Sequence, residues 1–266
     1  MKVVVITGST SGIGLGLAGA FLDRGCSVII SGRSNPNLEK AFEGLQSKHG
    51  SDRIDRHVCD VTRYEDVQGL WTASKQKFSK IDIWINNAGA AHPQTMLGDF
   101  NRETIDRIID SNLKGLLYGL NVALQGMKEQ GFGAVYNMEG LGAGDPIIKG
   151  LSLYACSKAA AAYLTKAAAK EVENTPIIVG GLRPGMVATK LITAQFEGRR
   201  EEWKKSERIF NIVSDKVETI VPWMAERILS NQKNGARIYW LTPAKMAGRF
   251  AASPFRSRRV YDDAPS

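Results

Sequence analysis

The sequence predicts an α/β fold: one domain built on a doubly wound parallel sheet of about seven strands. Three observations carry that prediction. Short β-branched runs alternate with helix-length segments almost to the end of the chain. The runs are continuously apolar, as strands covered on both faces must be. A glycine cluster, Gly8, Gly12 and Gly14, falls directly after the first run.

Taken in order, Val3 to Ile6 is the first strand, and a helix follows from about Ile13 to Arg24. Gly25 sits at the usual place for its left-handed end. Ser27 to Ser31 is the second strand. Asn35-Pro36 opens the next helix with proline in its first turn, and Leu38, Ala41, Phe42 and Leu45 give it an apolar face. Ile54 to Cys59 is the third strand, and Thr62 with Glu65 predicts a capping box for the third helix. Ile81 to Ile85 is the fourth strand, ending at Asn86-Asn87-Ala88-Gly89. Two helices fill Asn101 to Lys128, with a break expected near Gly115. Ala134 to Met138 is the fifth strand and Leu153 to Val172 an alanine-rich helix. Ile177 to Gly181 is the sixth strand. A lid at about 190–214 and a helix from about Asp215 to Leu229 precede the last strand, Arg237 to Leu241. Residues 1–243 form the domain and 244–266 a basic tail.

Composition narrows the class. Of 266 residues, 43% are hydrophobic and 23% charged, which excludes a mainly disordered chain. No apolar run reaches the roughly 18 residues of a membrane span. The net charge of +8 fits an anionic ligand, acidic lipid or nucleic acid without choosing among them; a small-molecule partner is expected, and no nucleic acid. Cys26, Cys59 and Cys156 are too few and too far apart for a disulfide framework, and His49, His57 and His92 are scattered, so no metal site is indicated. Met1-Lys2 runs straight into a strand, leaving no room for a signal or transit peptide, and a cytoplasmic protein is expected.

The loop Thr7-Gly8-Ser9-Thr10-Ser11-Gly12-Ile13-Gly14 joins first strand to first helix. Bare backbone there lets a pyrophosphate approach, and the helix N-terminus offers free amides and a positive dipole end. An ordinary turn is the alternative, but the place in a βαβ unit argues for a dinucleotide.

With its spacing of Thr-Gly-x-x-x-Gly-x-Gly the chain resembles the short-chain dehydrogenase/reductase family, whose fold is Rossmann-type. Asn87, Ala88 and Gly89 match that family's cofactor wall, Asn112 its helix asparagine, Tyr154 and Lys158 its active pair, Pro184, Gly185 and Thr189 its nicotinamide-side loop, and Asp60 and Val61 its adenine contact. The resemblance covers about residues 1 to 243 and implies a homodimer or homotetramer. It also implies that Tyr154 gives a proton to a carbonyl oxygen, that Lys158 orients the ribose and tunes Tyr154, and that Asn112 holds a water. A free tyrosine has a pKa of about 10, and a nearby ammonium should lower it.

The second strand ends Ser31-Gly32-Arg33-Ser34 without the acid that binds a ribose 2′-hydroxyl. Arg33 can instead grip a 2′-phosphate, with Ser34 and Thr10 as added donors, so the expected cofactor is NADPH. The serine that this family carries about thirteen residues before the tyrosine is missing; the count falls on Leu141 within Asn137-Met138-Glu139-Gly140-Leu141-Gly142-Ala143-Gly144. Loop amides, Ser152 and a protonated Glu139 are three candidate replacements.

Several stretches resemble the chlorophyll b reductase branch: 81–89, Asn137-Met138-Glu139-Gly140, Pro184-Gly185-Met186-Val187 with Thr189, Phe210-Asn211-Ile212 and Leu241-Thr242-Pro243. That implies reduction of a formyl group on a large apolar pigment. Leu191, Ile192, Phe196, Trp203, Ile209, Phe210 and Ile212 either wall such a substrate or simply pack as core. A general aldehyde or secondary-alcohol dehydrogenase, and a non-catalytic NADPH-binding regulator, are the rivals. The tail sets Lys245, Arg249, Arg256, Arg258 and Arg259 against Asp262 and Asp263, with Met246, Phe250 and Phe255 between. A solvated or subunit-contacting tail is expected, with weak membrane-surface contact as the second reading.

Overall fold

The computed structural model describes residues 1–142, 147–196, 198–255 and 258–261. Seven parallel strands form one sheet: β1 (Val3–Ile6), β2 (Ser27–Gly32), β3 (Ile54–Val58), β4 (Ile83–Asn86), β5 (Gly133–Met138), β6 (Ile177–Arg183) and β9 (Arg237–Tyr239). Their order is β3-β2-β1-β4-β5-β6-β9. Chain order runs outward from β1 in both directions, so the sheet reverses between β1 and β4. In open sheets the crevice above such a reversal is where ligands bind. A two-residue pair, β7 (Val187–Ala188) and β8 (Asp215–Lys216), lies apart from the sheet.

Helices cover both faces: α1 (Gly12–Asp23), α2 (Asn35–His49) and α9 (Val217–Ser230) on one, α3 (Tyr64–Phe78), α5 (Gly115–Gln130) and α6 (Ser152–Glu171) on the other. Strand side chains alternate, and the core divides accordingly. Val4 and Ile6 of β1 pack with Leu17 and Phe21 of α1, while Val3 and Val5 pack with Leu70 of α3 and Leu120 of α5.

Two local expectations are corrected. Thr62 does not cap α3: its hydroxyl donates to Asp60 Oδ1 at 2.8 Å, and the N-cap is Arg63 without a side-chain bond. The nearer carboxylate outcompetes the helix amide. Nor does the chain break at Gly115. α4 (Arg102–Ile109) passes through one π turn, Asp110–Lys114, into α5. Such π turns recur at functional sites, and this one carries Asn112.

The tail also differs from expectation. It forms α10 (Pro243–Ala252), and Val260 and Tyr261 are buried against the segment expected to be a lid, which carries α7 (Lys190–Thr193) and α8 (Arg200–Val213). Arg256, Asp262 and Asp263 lie outside the described residues. Arg249 and Arg258 turn inward to Asp215, at 2.5 and 2.7 Å, and Lys245 lies 3.1 Å above the Trp240 ring. These three cations are spent within the fold rather than offered to a membrane. Phe196, Trp203 and Phe210 pack edge to face with one another and Trp203 does so with Tyr261, so they are lid core; Leu191 and Ile209 remain exposed.

A buried polar ladder crosses the sheet. Trp84 Nε1 donates to Asn86 Oδ1 at 2.7 Å, Asn86 Nδ2 to Asn137 Oδ1 at 2.8 Å, Asn137 Nδ2 to Thr165 Oγ1 at 3.0 Å, and the threonine to Ala161 O at 2.8 Å. It fixes α6 against β4 and β5. Gly119 of α5 makes the room: a Cβ there would lie 2.0 Å from Asn86 Oδ1. Gly119→Ala should therefore cost about 1–3 kcal/mol despite alanine's better helix propensity, lowering Tm by several degrees. Gly44→Ala, at an exposed position of α2 with nothing within 4 Å, should instead stabilise slightly. Thermal unfolding of the two variants checks the contrast.

Candidate active site

The crevice between β1 and β4 is closed at its base by one clasp. Thr7 Oγ1 accepts the amides of Asn87 and Ala88 at 3.0 and 3.1 Å and donates to Ile85 O at 3.3 Å. Asn87 Nδ2 donates to the carbonyls of Thr7 and Gly8, both at 2.9 Å. The glycine loop and the wall after β4 are thus one unit. Gly8 stands at φ +61°, and a Cβ on it would come 2.7 Å from Ala88 Cα; one on Gly14 would meet Asn87 Nδ2 at 2.5 Å. Only glycine fits either place.

Ser9 is committed elsewhere. Its hydroxyl donates to Ile6 O and accepts the Ser31 amide, so it welds the loop to the sheet. Ser11 is the exposed N-cap of α1 and makes no side-chain cap, and the first turn carries no acid. The amides of Gly12, Ile13 and Gly14 there belong to the set that a helix leaves unpaired. Gly12, at φ +56°, faces Thr189, whose methyl group a Cβ on the glycine would meet at 3.4 Å, which brings the loop after β6 to the same mouth. Gly185 (φ +77°) follows buried Pro184 and packs on Leu241.

At the opposite end, Thr10 leans over Gly32, where a Cβ would be 2.6 Å from its methyl group. Arg33 follows, exposed, with no hydrogen bond or ion pair among the described residues. Asp60 is occupied by Thr62 and donates its own amide to Asp66, and Val61 packs on Gly115. The orphan amides, the bare glycine backbone and the free guanidinium fit a dinucleotide.

Thr7, Val61, Ala88, Asn112 and Lys158 line one pocket with Asn86 and Met138. Asn112 is fully buried, and its amide is spoken for: Nδ2 donates to Ala90 O and Ser157 Oγ, and Oδ1 accepts the Ala90 amide. The water expected on Asn112 thus has no side-chain donor left to accept from. Lys158 Nζ donates to Met138 O at 3.1 Å. Gly89 lies over both, 3.2 Å from Asn112 and 3.5 Å from Lys158 by its absent Cβ.

The position facing the tyrosine is Gly140, not Leu141. A Cβ on Gly140 would lie 2.9 Å from the Tyr154 hydroxyl and 3.1 Å from Lys158 Cγ. The missing serine is therefore missing from a place where the phenol meets bare backbone. Ser152 is exposed at the first position of α6, and loop residues Ala143 and Gly144 lie outside the described ones. Glu139 is wholly buried beneath this point. Its Oε2 takes Arg237 Nη2 at 3.2 Å, its Oε1 has no hydrogen-bond partner among the described residues, and Gly181 leaves space for it.

Electrostatics reverse one expectation. Burial pushes the Tyr154 phenol up to about 12, and the lysine does not bring it down, because Nζ sits 5.9 Å from the ring centre and is tied to Met138. Burial lowers Lys158 to about 8, and the Glu139 carboxylate holds it from falling further. The site at neutral pH is thus a protonated phenol beside an ammonium near its titration point, an arrangement able to donate a proton to a carbonyl oxygen.

The family model described as short chain dehydrogenase matches residues 2–200. The chlorophyll(ide) b reductase NOL of Oryza sativa subsp. japonica, a chloroplastic protein, is 31% identical over 266 residues, covering 96% of this chain and 76% of that protein. The Arabidopsis thaliana protein named "Probable chlorophyll(ide) b reductase NYC1, chloroplastic" is 29% identical over 98% of this chain, which spans only 54% of that protein. Among solved structures, the 3-ketoacyl-(acyl-carrier-protein) reductase from Brucella melitensis, complexed with NADH, superposes with a TM-score of 0.78 at 27% identity, covering 90% of this chain and 96% of that one.

A pH profile tests the charge on Lys158. The ammonium is present below about 8 and lost above, so kcat/KM for carbonyl reduction should fall on the alkaline side from about 8. Glu139→Gln removes the attraction that favours the ammonium, so the fall should move to lower pH. An unmoved alkaline limb would show that Lys158 does not feel the carboxylate.

Proposed function

Because the chain belongs to the short-chain dehydrogenase family, we propose that it is an NADPH-dependent reductase of an aldehyde, with the formyl group of chlorophyll b or its phytol-free form as substrate. The oxidoreductase fold and a nicotinamide cofactor come with the family; NADPH and the pigment are the proposal. The observation that carries it is Gly140: the proton donor faces a position with no side-chain hydroxyl to share the developing oxyanion. One lost donor of that kind costs about 10² to 10³ in rate. An aldehyde, being more electrophilic than a ketone, tolerates the loss better. The similarity to two plant proteins named as chlorophyll(ide) b reductases supports the choice of substrate.

When bound, the reduced nicotinamide supplies the hydride. The chain supplies the rest. Tyr154, protonated at every physiological pH, gives its proton to the carbonyl oxygen, yielding the primary alcohol. Lys158 sets a positive charge beside the phenolate that results. A flat macrocycle adds apolar burial at about 25 cal/mol per Å², which holds its formyl carbon in place.

The test compares kcat/KM for chlorophyllide b and a small aldehyde with NADPH, using Tyr154→Phe as the inactive control. The pigment should be the better substrate. Preference for the small aldehyde means a general reductase, and no turnover of either means a cofactor-binding regulator.

Arg33 sits free, and an acid that would repel a 2′-phosphate is absent from the end of β2. Arg33→Asp should invert the ratio of kcat/KM for NADPH over NADH. An unchanged ratio removes the 2′-phosphate assignment and leaves the reductase reading standing.

A further inference from the structure

The first amides of a helix have no intrahelical partner, and the preceding residue's side chain commonly accepts one. The helix that bears Tyr154 lacks this device. Its N-cap is Leu151, at φ −112° and ψ 13°, without a side-chain bond, and its first turn holds no acid. The amide of Tyr154, third residue of α6, donates instead to His92 Nε2 at 3.1 Å, across 62 residues of sequence.

His92 is held to serve that bond. It is 1% exposed, and its ring packs edge to face on Phe100 with centroids 4.8 Å apart. Nδ1 lies 2.7 Å from Pro93 O, which can only accept, so Nδ1 carries the proton and Nε2 is left as acceptor. The same loop is tied again where the Thr95 amide donates to Gly150 O at 3.0 Å. On the other side of the tyrosine, Ser157 Oγ donates to Tyr154 O at 2.7 Å and accepts from Asn112, which grips Ala90.

We infer that His92 is the positioning residue for the proton donor: a neutral imidazole that caps α6 at Tyr154 and ties the aim of the phenol to the loop forming the cofactor wall. The inference rests on Tyr154 being that donor. Protonating His92 removes the acceptor and sets a cation at the positive end of the helix dipole, so acid should release Tyr154. Charged and titratable groups on the elements around the ring are Asp99, then Arg102, Glu103, Asp106 and Arg107 of α4, of which Arg102 and Asp106 pair with each other, Lys149 in the turn before α6, and Tyr154 and Lys158 in the first turns of α6. Arg107 donates to Ala91 O at 3.1 Å.

Two variants and two readouts decide the matter. His92→Gln keeps an acceptor oxygen near the Nε2 position; His92→Phe keeps the ring on Phe100 and has no acceptor. The readouts are the pH profile of kcat for NADPH-dependent aldehyde reduction and hydrogen exchange of the Tyr154 amide, which needs no turnover. In the wild type, kcat should fall on the acid side through one protonation, and Tyr154 should lose protection with the same midpoint while amides later in α6 keep theirs. His92→Phe should lower kcat about tenfold, with Kd for NADPH within about twofold, and leave Tyr154 unprotected throughout. His92→Gln should keep most of the rate and lose the acid limb. A wild-type rate and protected amide in His92→Phe, or an acid limb that persists in His92→Gln, overturns the inference. If no carbonyl is turned over, the functional reading fails by itself, and the exchange of Tyr154 alone upholds or refutes the cap.

Discussion

The site depends on the Thr7 hydroxyl and the Asn87 amide that clasp the carboxyl ends of β1 and β4. Where strand order reverses, the connections leave in opposite directions. The ladder between β1 and β4 ends at the Thr7 amide on Ile85 O, and beyond it these side chains set the width of the crevice. Asn87 spends both amide protons on backbone carbonyls of the glycine loop, and Thr7 gathers three backbone groups from the facing strand and the wall beyond it. Gly8 then faces Ala88 at a distance no side chain allows. A loop that must leave amides free for a ligand is thereby held by groups outside it.

The chemistry of the crevice follows from what that rigid base lets the chain bury. Lys158 sits 6% exposed and Glu139 2%. Removing either charge from water is costly, and here the cost is offset only in part: Arg237 takes one carboxylate oxygen and the other has none. The result is a lysine whose proton is loosely held and a tyrosine whose proton is firmly held. Perturbation of this kind marks a place where stability has been exchanged for reactivity. The Asn86–Asn137–Thr165 ladder does the opposite work nearby: each of its amides is satisfied, and it keeps α6 stationary while its charged neighbours are under strain.

Local pattern made much of this legible from the sequence. Continuous β-branched runs marked the strands, and the glycine loop together with the motifs of the family it resembles singled out Tyr154 and Lys158 as candidates. What escaped were competitions and long-range partners. Thr62 had the right spacing for a cap, but Asp60 stood closer. Counting thirteen residues back from Tyr154 reached Leu141, because spacing along a loop does not say which residue faces inward; Gly140 does. Gly115 suggested a break where the helix only loosens by one π turn. His92 gave no signal, since its partner is a backbone amide, and every residue has one of those. The tail read as solvated or subunit-contacting because nothing in its sequence names an inward partner for its arginines. Three-dimensional proximity to Asp215 is what turned Arg249 and Arg258 inward, where burial pushes the Asp215 carboxyl up but hydrogen bonds from Trp240 and the two arginines hold it below its usual range.

That last feature reaches beyond the lid's packing. Asn211 Oδ1 takes the amides of Val260 and Tyr261, and the Tyr261 hydroxyl meets Ser214 at 3.0 Å, so the chain's final described residues lace α8 in place. A helix ordered in this way has lost its conformational entropy during folding, and a partner that meets it need not supply that loss again. The C-terminal segment thus acts as pre-organisation: it holds α8 in one place before any encounter.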